Sequence, residues 1–156
     1  MRRLVFLLFL LPLASLAQTD TIIHRMFLIG DAGNLENGKH PVLDWISKNA
    51  DWNDHKNIAL FLGDNIYPDG LPDEGDVLYP ETKKVLDYQL NLVRGKKSKA
   101  FFIAGNHDWK GGKIGGWERG MNQANYINSL ADSNILALPL CPTYEHFKWG
   151  CALRAT

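Results

Sequence analysis

Two cysteines among 156 residues, Cys141 and Cys151, with no CxxC pair, exclude a disulfide framework. Neither sign of charge is in excess. Lys plus Arg and Asp plus Glu stand at 17 each, which excludes nucleic-acid binding through a general basic field. Long apolar runs are also missing. The longest, Leu4 to Leu16, contains Pro12 and is too short to cross a bilayer comfortably. Histidine is sparse, at His24, His40, His55, His107 and His146, so only one histidine follows residue 107. There is no internal repeat beyond the strand-end design described below. What remains, 46% hydrophobic and 22% charged, is the composition of an ordinary single globular domain.

The apolar run has a different reading. Arg2 and Arg3 make a positive n-region, and Ser15-Leu16-Ala17 has the small residues of a cleavage site. Residues 1–17 are therefore expected to be a secretory signal, leaving a secreted or periplasmic chain that begins at Gln18 and has no stable membrane anchor. Without Arg2 and Arg3 the mature chain is faintly acidic. No cysteine follows the run, which argues against a lipid anchor. An exported chain meets oxidising conditions, where Cys141 and Cys151 can pair.

Three stretches share one construction. Met26 to Ile29 runs into Gly30-Asp31-Ala32-Gly33-Asn34, Ile58 to Leu62 into Gly63-Asp64-Asn65-Ile66-Tyr67, and Ala100 to Ala104 into Gly105-Asn106-His107-Asp108-Trp109. Short apolar runs that end at a glycine are read as buried parallel strands. Between them, Pro41 opens a short helix carrying Val42, Leu43, Trp45 and Ile46, and a second helix is predicted from Glu81 to Arg94 with Gly95 as its cap. A third is predicted from Glu118 to Leu130, followed by a short strand at Ile135 to Leu138. Strand–helix alternation predicts an α/β fold with parallel strands and crossover helices. The C-terminal strand ends then share one edge, where ligands usually bind.

That edge would collect Asp31, Asp64, Tyr67, Asn106 and His107. Carboxylate and amide oxygens suit hard cations, and imidazole suits transition metals. Two ions about 3.5–4 Å apart can clamp a phosphoryl group and generate a hydroxide nucleophile. Each residue alone also has a structural reading. Asp31, Asp64 and Asn106 can shape turns or caps, Tyr67 can be a half-buried aromatic, and His107 a satisfied structural histidine. Their order and strand context carry the metal reading. Asp108 and Trp109 are read as loop supports, and Asp69, Asp73, Glu74 and Asp76 as a solvated acidic loop.

The three blocks resemble the first three motifs of the calcineurin-like metallophosphoesterases, and in detail the purple acid phosphatase branch. Gly33 stands where the family usually has a histidine, and Tyr67 stands where the purple branch has its tyrosine. The resemblance implies Asp31 and Tyr67 on a first metal, Asp64 bridging both, Asn106 on the second, and His107 at the phosphate or leaving group. It implies Fe(III) plus a divalent Fe, Zn or Mn, and a small phosphorylated substrate. It also implies the N-terminal half of an α/β/β/α sandwich.

The family's later histidine ligands and its Gly-His-x-His block are not seen, and Tyr144-Glu145-His146-Phe147 does not resemble them. Residues 18–140 are accordingly read as a partial domain and an incomplete centre. Residues 141–156 are read as an atypical tail, of the kind a truncated or frame-shifted gene gives. The alternatives are a non-catalytic remnant with part of a metal or phosphate site, or an α/β module that binds a nucleotide. A partial domain would leave one sheet face open to self-association.

Overall fold

The computed structural model describes residues 21–138. The expected signal at 1–17, the tail at 141–156, its two cysteines and His146 lie outside the described residues. Within them the order is β1 (Arg25–Ile29), α1 (Pro41–Asn49), β2 (Asn57–Phe61), α2 (Tyr79–Leu90), β3 (Lys99–Ile103), α3 (Gly116–Ser129) and β4 (Ile135–Leu138). The four strands form one parallel sheet in the order β1-β2-β3-β4.

Sequential parallel strands joined by right-handed crossovers keep every helix on one side. The core has that shape. Leu43 and Ile46 of α1, Leu86 and Leu90 of α2, and Ile127 of α3 share one buried cluster with Ala59, Phe61, Ala100, Phe102 and Ile135. Phe61 and Phe102, neighbours in register, stack at 4.2 Å between ring centroids. The opposite face is also apolar but open. Met26 is 62% exposed, Leu28 65%, Leu62 47% and Ile103 40%. The buried-strand composition thus reflects two apolar faces, of which the helices cover one.

The helices depart from expectation at their ends. In α1 only Leu43 and Ile46 are buried, while Val42 and Trp45 face outward, because nine residues present too narrow a stripe for all four. His40 caps this helix, its Nδ1 accepting the Leu43 N–H at 3.3 Å. α2 stops at Leu90 rather than Arg94. Leu92 and Val93 are still buried, but their N–H groups donate to Gln89 and Leu90, the tighter i−3 pattern that closes helices.

One charged cluster ties α2 to α3. Asp87 accepts hydrogen bonds from Lys83, from Arg94 at 3.0 Å and from the Tyr126 hydroxyl. Burial pushes its carboxyl up, but these three donors together hold it below the ordinary value. A depressed carboxyl stabilises the fold above its unfolded value of about 4 and loses that contribution as pH falls through the folded one. Asp87→Asn should therefore lower Tm at pH 7, with the gap to the native chain narrowing by pH 3. Thermal melts at both pH values check this, and a gap independent of pH would contradict it.

Candidate metal centre

Three loops leave the C-terminal ends of β1, β2 and β3 and dock on one another. The Asp31 N–H donates to Gly63 O at 3.1 Å, and the Tyr67 N–H to Gly33 O at 3.0 Å. The second and third loops meet backbone to backbone at their glycines. A Cβ on Gly63 would lie 2.7 Å from Gly105 Cα, and one on Gly105 would lie 2.3 Å from the Asp64 nitrogen. No side chain is tolerated at that contact. Asp31 and Asp64 both adopt left-handed backbone, at φ 55° and 53°. Asp tolerates this conformation better than most residues, and such backbone often marks functional sites.

The docking brings the candidate donors together. The Tyr67 hydroxyl lies 2.7 Å from Asp31 Oδ1 and 3.3 Å from Asp64 Oδ2. The other Asp64 oxygen accepts the His107 N–H at 3.0 Å. Asn106, between Gly105 and His107, is exposed, and its carbonyl accepts the Gly111 N–H at 2.7 Å. The His107 ring packs edge-on to Tyr67 at 4.5 Å, and its Nδ1 lies 2.7 Å from Pro68 O. A carbonyl only accepts, so Nδ1 is the donor in this contact.

The electrostatics favour a cation. Among the described residues neither Asp31 nor Asp64 forms an ion pair. Tyr67 is pushed well above the ordinary phenol value, first by its hydrogen bond to Asp31, then by burial and the two carboxylates. A bound cation reverses that field and favours the deprotonated phenol.

Two buried side chains support the loops. Asp108 accepts N–H groups from Gly105, Asn65 and Ile66 and from the Asn65 amide, at 2.8–3.1 Å. This gives physical content to its reading as a loop support. Trp109 stacks on Trp117 of α3 at 5.6 Å. The second is Gln89, which the sequence reading passed over. Its signal was a polar residue in an apolar stripe between Leu86 and Leu90. The acidic loop is less free than expected, since Asp73 accepts from Asn122 and Asp76 lies 3.9 Å from Arg119.

Residues 24–148 match the family model of the calcineurin-like phosphoesterases. The chain belongs to that family. No curated protein and no solved structure gives a significant match. Calcineurin-like phosphoesterases are metal-dependent and generally hold a dinuclear centre. Among the described residues no three His, Cys, Asp or Glu side chains are grouped to hold an ion. Asp31, Asp64 and the Tyr67 phenol fit part of a hard-cation shell, with Asn106 next to His107 on the adjoining loop, and among the described residues the remainder is not supplied.

Proposed function

We propose that this calcineurin-like phosphoesterase is of the acid phosphatase type, hydrolysing phosphate monoesters with Fe(III) and a divalent Fe, Zn or Mn. One observation carries the reading. A Cβ on Gly33 would lie 2.6 Å from Asp64 O, 2.8 Å from the Ile66 nitrogen and 2.8 Å from Tyr67 Cδ2. Any side chain at position 33 would meet the backbone of the second loop and the Tyr67 ring, which supports reading the phenol as the counterpart of the family's usual histidine.

In this reading Asp31 and Tyr67 would hold the first ion, Asp64 would serve both and Asn106 would hold the second. The ions, when bound, polarise the phosphoryl group and supply the nucleophile. His107, whose Nδ1 donates to Pro68 O, could donate from Nε2 to a phosphate oxygen or the leaving group when that nitrogen also carries a proton. Positioned groups of this kind contribute roughly 10²–10⁴-fold. The reading places the mature chain, from Gln18, outside the cytoplasm. A remnant that binds ions or phosphate without turnover is the second reading, favoured by the partial donor set.

Tyr67 gives the test. The Fe(III)-loaded protein should show a visible tyrosinate charge-transfer band that Tyr67→Phe removes. Identical visible spectra of the two iron-loaded proteins would rule the assignment out.

A second proposal concerns the open sheet face, where Leu28, Leu60, Phe101 and Leu136 align in register across all four strands. Leu28 is exposed and the other three are half-buried; apolar surface of this kind drives association, and we assign the face to a second copy of the chain. Sedimentation velocity should show self-association that Leu28→Asp weakens; a monomer unaffected by that substitution would contradict it.

A further inference from the structure

Helix α2 reaches the candidate metal centre through one side chain. Gln89 is fully buried, and its Nε2 donates to Ala32 O at 3.1 Å and to Asn65 O at 2.7 Å. Ala32 follows Asp31, and Asn65 follows Asp64. One amide nitrogen, with two N–H bonds to give, thus joins the carbonyls directly after the two carboxylates. Its remaining contact, to Val85 O in its own helix, is long at 3.4 Å.

Packing alone does not account for this residue. Among the described residues its buried Oε1 has no hydrogen-bond partner, and an unsatisfied buried polar atom costs about 1–3 kcal/mol. Leucine or methionine would continue the stripe of Leu86 and Leu90 without that cost. What only the amide provides is a shared donor between two loops. Asp31 and Asp64 project from left-handed backbone, so a shift of either carbonyl would carry the neighbouring carboxylate with it. Asp108 makes the corresponding link between the second and third loops.

We propose that Gln89 is a positioning residue for the metal centre, setting the separation of Asp31 and Asp64 without touching an ion. The inference rests on the metal reading above. Outer residues that orient ligands typically contribute about 10–100-fold to metal affinity.

The test uses the 156-residue protein and Mn²⁺ as probe. Gln89→Met keeps the volume and removes both donors. Calorimetric titration should show Mn²⁺ binding about 10–100-fold weaker than in the native chain, although circular dichroism shows the variant folded. Ile127→Val, a core change remote from the loops, should lower Tm and leave Mn²⁺ affinity unchanged. In the metal-free proteins, amide exchange at Asp31 and Tyr67, whose N–H groups bridge the first two loops, should quicken in Gln89→Met and not in Ile127→Val. Native-like Mn²⁺ affinity in folded Gln89→Met overturns the proposal. If that variant does not fold, Gln89→Leu, which also lacks the donors, is read in the same way. Failure of both to fold overturns positioning in favour of a purely structural role. A native chain that binds no Mn²⁺ defeats the metal reading instead. The exchange rates then decide the loop coupling, and unchanged rates in Gln89→Met overturn it.

Discussion

The buried carboxylate of Asp108 holds the loops of the candidate metal centre in one arrangement, because an ionised carboxylate is tolerated away from water only when hydrogen bonds surround it. Four N–H groups do so, one from the third loop and three from Asn65 and Ile66 of the second. Burial pushes this carboxyl up, and the backbone donors of Gly105, Asn65 and Ile66 oppose the shift. Hydrogen bonds to a charged group contribute about 1.5–3 kcal/mol each, so separating the two loops would strand several donors and a charge together. The Gly63–Gly105 contact adds a steric limit on the same pair. Gln89 extends the connection to the first loop, from a helix that belongs to the core.

Rigid loops make the donors useful. Asp31, Tyr67 and Asp64 form one hydrogen-bonded set, and the backbone of His107 joins it through Asp64. Two carboxylates without ion-pair partners among the described residues, sharing one phenol proton, create a negative potential that a metal cation would neutralise. The helices stabilise this edge from one face of the sheet only. The site therefore sits above a domain whose other face presents Met26, Leu28, Leu62 and Ile103 to its surroundings.

Much of this was legible in the sequence, for identifiable reasons. Strand ends are marked by glycine, and here each glycine is followed by Asp or Asn, so the three loops and the α/β class could be read directly. Gly33 and Tyr67 could be read together in the sequence, and in the structure a Cβ on Gly33 would meet the backbone of the second loop and the Tyr67 ring. Helix ends were less legible. Leu92 and Val93 are apolar and buried yet lie beyond α2, and apolar spacing does not distinguish a last helical turn from the tight turns that follow. Gln89 was hidden because its role depends on two carbonyls brought near it by tertiary folding, one of them 57 residues away. The outward direction of Val42 and Trp45 was hidden for a related reason, since periodicity marks several stripes on a short helix and packing selects one.

Anomalous diffraction from crystals of this chain grown with Mn²⁺ tests whether Asp31, Asp64, Tyr67 and Asn106 hold metal ions. The expected result is an anomalous peak at the C-terminal edge of the sheet, within coordination distance of oxygens from both Asp31 and Asp64, and its loss in Asp64→Ala. Ordered Asp31 and Asp64 side chains with no peak between them at saturating Mn²⁺ would contradict it.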